Sequence, residues 1–317
     1  MVVKTVIKRY CCAGILIMSI LFAGCRSKAK YEDTPGSGFI RIAVDAALEP
    51  VVEEEIAVFE ALNTRAGILP QYTSETQAID LLLKDSVRLA VATRGLTEEE
   101  IESFHSRKFF PEVIKIATDG IALIIHKDNA DSLINMKMLK KILTGEVTRW
   151  DELYSGSHLG KFQVVFDNPN SGTVRFMIDS VCGGGKLSED CFARPDNQKV
   201  VDYVMTTPSA IGIIGVNWIS NPQDSLCVDF LKQIQVMRVG VEDELTVRNT
   251  FQPYAYYLNN GQYPLTRNVY VLLNDPRSGL PSGFTSFITG SRGQRIILKS
   301  GLLPATMPVN VVNITDR

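Results

Sequence analysis

The stretch Val164-Val165-Phe166-Asp167-Asn168-Pro169-Asn170-Ser171-Gly172-Thr173-Val174-Arg175-Phe176 decides how the chain reads. A β-branched apolar run enters a Pro/Asn turn, and the turn runs into a helix-like segment. Asn170 or Ser171 is placed to act as N-cap, and Gly172 has no side chain to block a close approach. The first N–H groups of a helix lack partners within it, and the helix dipole is positive at that end. With the hydroxyls of Ser171 and Thr173 added, the turn predicts a pocket of donors suited to an oxyanion. An ordinary capped helix has the same local sequence, so the surrounding chain has to decide between the two.

Upstream, Ile40, Ile42 and Val44 form a short apolar run fit for a buried strand of a parallel sheet. Asp45-Ala46-Ala47 turns the chain into a segment with Val52, Ile56, Phe59 and Leu62 at helical spacing. A second unit follows. Ser74 and Thr76 are cap candidates, Ala78, Leu81 and Leu82 mark an apolar face, and 89–92 returns as a strand before Thr93-Arg94-Gly95. Thr97 is placed to cap a Glu-rich helix. Residues 115–125 read as two strands broken at Asp119-Gly120, a candidate crossing between lobes. Further on come a helix over 138–143 stopped by Thr144-Gly145, a short helix packed by Trp150, and strands over 163–166, 210–216 and 263–273. A closing helix over 284–298 has Gly301 past its end. The alternation is that of an α/β fold. In open α/β sheets ligands bind beyond the carboxyl ends of the strands, which predicts that loops 45–48, 73–76, 93–95 and 167–173 gather at one place.

Lys4, Lys8 and Arg9 precede an apolar run over 11–22, shorter than the roughly 20 residues a membrane span needs. The pattern predicts a secretory signal peptide over 1–24. Leu21-Phe22-Ala23-Gly24-Cys25 resembles a bacterial lipobox, with Phe22 where Leu is more usual. The resemblance implies cleavage before Cys25, lipid attachment to its sulfur and anchorage to a bilayer at the periplasmic or outer face of the cell envelope. Residues 25–38, ending in Pro35-Gly36-Ser37-Gly38, read as a lipidated N-terminus and flexible tether. The chain is 45% hydrophobic and 21% charged with net charge −2, so no basic excess points to nucleic acid. Cys182 and Cys191 flank Gly183-Gly184-Gly185 and are candidates for a disulfide in an oxidising compartment; Cys227 reads as a buried thiol.

Enzyme signatures are weak. His105, His126 and His158 lack Cys or acid neighbours at metal-ligand spacing, and no metal or cofactor is expected. Gly183-Gly184-Gly185-Lys186 fails the phosphate-loop pattern, because Ser180 stands where the first Gly belongs and Leu187 where Ser or Thr should follow. Ser171 has no nucleophile-elbow context.

Several pieces then fall in a familiar order: Ile40-Arg41-Ile42-Ala43 with Pro50, the run 89–97, Asp119-Gly120-Ile121-Ala122, and 139–150 with Thr144-Gly145. Ser171-Gly172-Thr173 with Phe176, Ala210-Ile211-Gly212, Tyr263-Pro264-Leu265-Thr266-Arg267, and Gly293-Gln294 with Gly301 and Pro304 complete the series. Together they span nearly the whole mature chain, which resembles the phosphate-binding protein family of Pst-type ABC importers. The resemblance implies a two-lobed type II periplasmic-binding-protein fold, each lobe a mixed sheet flanked by helices, with the ligand in the cleft between lobes. It places lobe 1 at 39–119 plus 265–317 and lobe 2 at 120–264. It implies inorganic phosphate and ABC permease subunits as partners, a monomer, and no catalysis. A sensor or scaffold lipoprotein that keeps the fold without phosphate transport is the alternative.

Carried over residue by residue, the site takes in Asp45-Ala46-Ala47, where the family has hydroxyls and Ala46 and Ala47 leave only backbone donors. It also takes in Ser74 and Thr76 flanking Glu75, then Arg94, and Asn170, Ser171, Gly172 and Thr173. Where many members carry Arg four residues before the Ser, this chain has Asp167. An acid about 4 Å from an anion costs on the order of 4 kcal/mol at an effective dielectric of about 20. Micromolar binding is worth only about 8 kcal/mol. Asp167 therefore points away, or it accepts a proton carried by the ligand, as Asp45 can also do. Such an acceptor favours hydrogen phosphate over sulfate. Arg175, one helical turn beyond Ser171, is a candidate compensating cation.

Overall fold

The computed structural model describes residues 33–220 and 232–309. Cys25 and the rest of the signal region, and Cys227, lie outside the described residues.

Strand β1 (Ser37–Asp45) is buried along most of its length, as expected of an interior strand with both faces covered. Helix α1 (Glu49–Leu62) follows, with Pro50 in its first turn, where a missing N–H costs nothing. Its inner face carries Val51, Val52, Ile56 and Phe59, and also Glu55. Glu55 is 2% exposed, and neither carboxylate oxygen has a hydrogen-bond partner among the described residues. Burial pushes it up to about 8, with the Glu54 charge adding to the effect.

β2 (Arg65–Thr73) pairs parallel with β1, and Ser74 caps α2 (Glu75–Leu83) by accepting from Gln77 N. β3 (Leu89–Ala92) is wholly buried and lies parallel to β1 on its other side. Thr97 and Glu100 form a reciprocal capping box at the start of α3 (Glu98–Ser106). The long strand β4 (Glu112–His126) comes next, then α4 (Met136–Thr144), which ends at Gly145 in the left-handed region. β5 (Gln163–Phe166) leads into α5 (Gly172–Phe176), which continues as one π-helical turn over Met177–Val181. α6 (Asn197–Thr206), β6 (Ala210–Gly215), β7 (Thr266–Leu273), α7 (Leu280–Thr289) and α8 (Ser291–Lys299) complete the main elements.

The strands form one mixed sheet in the order β2-β1-β3-β7-β4-β6-β5, with Cys191–Ala193 beyond β5. β4 is shared. Its residues 112–120 pair antiparallel with β7, in the register Thr266↔Gly120 and Arg267↔Asp119, and its residues 121–125 pair antiparallel with β6. Gly120 stands at the exchange. A Cβ there would lie 2.8 Å from Pro253 Cβ and 3.1 Å from Leu258 Cδ2, so only Gly fits without displacing them. One apolar cluster runs past this point, joining Ile42, Val44 and Val91 to Ala122, Val165, Val201 and Ile214.

Three expectations need correction. The two strands expected over 115–125 are one unbroken strand, because Asp119 is paired inside the sheet by Arg267 and does not end the ladder. The closing helix over 284–298 is two helices broken at the extended Gly290. Residues 33–38 are docked on the body. Asp33 accepts from Leu280 N at 2.9 Å and pairs with Arg88 at 2.7 Å, and Ser37 and Gly38 already belong to β1.

Candidate oxyanion site

Because β1, β2 and β3 run parallel, their carboxyl ends lie along one edge. Asp45 ends β1, Glu75 opens the helix after β2, Thr93 follows β3, and Asp167 follows β5. Gly172 is where they meet. A Cβ on it would overlap Thr93 Oγ1 and stand 2.6 Å from Asp45 Oδ2 and 2.9 Å from Glu75 Oε1. The absent side chain is therefore what lets α5 approach three strand-end loops at once.

The donors at this meeting point converge on the Glu75 carboxylate. Oε1 accepts from Thr93 N at 2.8 Å and from Thr93 Oγ1 at 2.5 Å; Oε2 accepts from Arg175 Nε at 2.5 Å. Arg175 Nη2 also reaches Glu75 Oε1 at 3.4 Å and Thr93 O at 3.2 Å. Burial alone would raise the Glu75 carboxyl, but the hydrogen bond and charge of Arg175, with Thr93, outweigh it and hold it below the ordinary range.

A second buried cation lies beside this group. Arg267 Nε donates to Asp119 Oδ2 at 3.0 Å, and Nη2 stands 2.9 Å from the same oxygen without the alignment of a hydrogen bond. Arg267 Nη1 donates to Thr173 Oγ1 at 3.2 Å, tying β7 to α5. Burial opposes the Arg267 charge, but Asp119, Asp45 and Glu75 together hold the guanidinium protonated. Asp119 is raised by burial against the pull of Arg267.

Asp45 is fully buried; Oδ1 accepts from Ala47 N at 3.2 Å, and Oδ2 has no hydrogen-bond partner among the described residues. Burial pushes it up to about 7, opposed by Arg267 and reinforced by Glu75 and Asp167. Asp167 is also raised by burial, opposed by the Ser171 hydroxyl that donates to its Oδ1 at 2.7 Å. Its other oxygen accepts from Asn197 Nδ2 at 3.3 Å. Four buried carboxylates thus face two guanidiniums, and the group carries excess negative charge unless some carboxyls hold protons.

The structure brings together Asp45, Asp167, Ser171, Gly172 and Thr173. Ser171 is the N-cap of α5, accepting from Val174 N. Ala47 is fixed differently from the expected free donor. Its N–H is used by Asp45, and its carbonyl accepts from Asn217 Nδ2 and Trp218 Nε1, both at 3.0 Å. Ala46 sits in the same short turn. Ser74 is spent as a helix cap, and Thr76 and Asn170 are exposed.

Arg94 needs correction. Its guanidinium forks onto Glu100, with Nη1 and Nη2 each at 2.8 Å from a carboxylate oxygen, and it also donates to Gly95 O. The guanidiniums that reach the buried group are those of Arg175 and Arg267. Cys182 and Cys191 are free thiols, so the disulfide is corrected too; burial pushes Cys191 up to about 12, with Cys182 and Asp190 adding. The sequence places Thr93 in one of the four gathering loops without singling it out as a contact, and it does not single out Arg267 or Asp119 for the site. Arg267 carries two signals, a cation in the inward phase of an apolar strand and its place in the run Tyr263-Pro264-Leu265-Thr266-Arg267.

Parallel strands that deliver their carboxyl-end loops to one buried polar group have the geometry in which open α/β sheets hold ligands. The chain belongs to the PBP superfamily, whose domain model matches residues 29–292. It is 23% identical over 297 residues to the phosphate-binding protein PstS of Borreliella burgdorferi, covering 91% of this chain and 97% of that protein. The PstS of Staphylococcus saprophyticus is 21% identical over 272 residues, covering 85% and 81%. Among solved structures, a Clostridium perfringens protein described as a phosphate ABC transporter substrate-binding protein with bound phosphate superposes with TM-score 0.69. It is 24% identical, and the match covers 84% of this chain and all of that one. An ABC-type phosphate transport receptor from Vibrio cholerae gives 0.62 at 19% identity, with 84% and 100% covered. The fold is that of the type II periplasmic binding proteins.

Proposed function

We propose that this chain is the substrate-binding component of an ABC importer and that it takes a protonated tetrahedral oxyanion, hydrogen phosphate, at the meeting point of Asp45, Thr93, Arg175, Thr173 and Arg267. The observation that carries this reading is the close approach of Gly172 to three strand-end loops. It gathers a backbone N–H, hydroxyls and two guanidiniums in one buried polar group, the donor types an oxyanion requires. The unpartnered Asp45 Oδ2 supplies the acceptor for a ligand proton. The names carried by the relatives agree with this ligand.

On the same reading, 39–119 with 265–317 and 120–264 act as two lobes that close on the ligand, and β4 and β7 are the crossing strands. The signal over 1–24 and the lipobox ending at Cys25 fit a lipid-anchored protein of the cell envelope. Its task is binding and delivery to permease subunits, without catalysis. One observation favours the sensor or scaffold alternative: a protein carboxylate already holds the donors.

Calorimetric titration with phosphate, sulfate and molybdate separates the readings. Phosphate is expected to give heat and sulfate much less. Gly172→Ala, which drives a methyl group into Thr93 and Asp45, is expected to abolish the phosphate signal while the variant stays folded. No heat and no thermal shift with any oxyanion would leave the scaffold reading standing.

A further inference from the structure

The Glu75 carboxylate has the surroundings of a bound anion. It is 2% exposed, accepts a backbone N–H and a hydroxyl from Thr93, and is clasped by Arg175 through Nε and Nη2. Charge-assisted bonds of this kind, made out of water, are what would select an external oxyanion. Gly172 packs against it, so that a Cβ there would stand 2.9 Å from Glu75 Oε1. The donors that the proposed ligand needs are therefore already occupied by a group on the chain's own backbone, at the first residue of α2.

Two features make the occupant displaceable. Arg175 is about one-third exposed, so its guanidinium has an aqueous side toward which it can turn. Glu75 lies directly after the β2–α2 junction, where its side chain can leave the seat without breaking the Ser74 cap, which bonds to Gln77. A dianion entering beside an ionised Glu75 meets strong repulsion at short range. Entry therefore exchanges one anion for another, and the resident one sets the affinity.

We propose that Glu75 is an internal competitor: its carboxylate fills the oxyanion seat of the free protein, and a tetrahedral oxyanion binds only by displacing it from Thr93 and Arg175. This inference rests on the oxyanion-binding reading above. It makes Glu75 a residue that weakens capture, in contrast to a ligand contact.

The test is calorimetric titration of inorganic phosphate into the wild-type protein, Glu75→Ala and Glu75→Gln, with circular dichroism confirming the fold of each. Glu75→Ala empties the seat. Glu75→Gln keeps the size and removes the charge, covering the case in which the alanine variant does not fold. Both variants are expected to bind phosphate at least about tenfold more tightly than wild type. Adding Arg175→Gln to the Glu75→Ala background is expected to erase the gain, which a merely structural role for Glu75 would not produce. Equal or weaker affinity in the folded Glu75 variants, with wild type still binding, overturns the competitor and leaves the oxyanion reading intact. Absence of binding in every protein, variants included, overturns both.

Discussion

Glu55 offers a test of the folded core that is independent of any ligand. It sits on the inner face of α1, 2% exposed, with both oxygens unpartnered among the described residues. Its ordinary value of 4.5 is pushed to about 8 by burial. The folded protein therefore holds this proton more tightly than the unfolded chain does. Below pH 4.5 both states are neutral here and the group costs nothing as a charge. Between 4.5 and 8 the unfolded chain releases the proton while the folded one retains it, so stability falls as pH rises and levels off above about 8. At about 1.4 kcal/mol per tenfold change in proton activity, the whole window is worth about 5 kcal/mol, of which about 3.5 kcal/mol lies between pH 5 and pH 8. Glu55→Gln removes the titration. The cost of burying an amide displaces its stability curve without tilting it, and every other titrating group cancels between the two proteins. Urea denaturation at pH 5, 6.5 and 8 is expected to show the variant gaining on the wild type by about 3.5 kcal/mol across that range. Parallel pH profiles would refute the reasoning, because they would mean that Glu55 reaches water or a counter-charge in solution.

Arg267→Met leaves the buried Asp119 without its cation and is expected to cost about 3–5 kcal/mol in urea denaturation, most of it recovered when Asp119→Leu is added. A loss below about 1 kcal/mol would show the pair to be solvated. Asp45 is neutral below about 7 and ionised above it, and only the ionised form can accept a ligand proton, so phosphate affinity in the wild type should rise relative to Asp45→Asn as pH climbs through 7. The ionisation of the ligand is common to both proteins, and a constant affinity ratio from pH 5.5 to 8.5 would rule out the proton-acceptor role. Arg94→Ala is expected to change phosphate affinity by less than about tenfold, since its guanidinium is committed to Glu100. A larger loss in titration would return Arg94 to the site.

Much of the α/β order was legible because burial leaves a period in the sequence. Ile40, Ile42 and Val44 announced β1, and Val52, Ile56 and Phe59 announced the buried face of α1. Ser171, Gly172 and Thr173 stand out by turn chemistry, and the structure puts Gly172 beside Asp45, Ser171 on Asp167 and Thr173 on Arg267. The choice among arginines was not legible. Arg94, Arg175 and Arg267 all lie next to apolar runs, and which one turns inward depends on contacts distant in sequence. Arg175 meets Glu75 across 100 residues, and Arg267 meets Asp119 across 148. The fate of Arg94 had a local clue, since the Thr97–Glu100 capping box puts a carboxylate within its reach. The break at Gly290 was hidden for the opposite reason. The segments on either side both favour helix, so the apolar spacing ran on through it.

The shared strand β4 has a consequence for how the molecule comes apart. One backbone ladder is bonded to β7 along its first part and to β6 along its second, and one apolar cluster continues across the change of partner. Neither portion can melt alone without exposing amides and side chains on which the other depends. Heating in a calorimeter should give a single cooperative endotherm, and a protease should find either an intact molecule or a wholly opened one, without a trimmed half that survives.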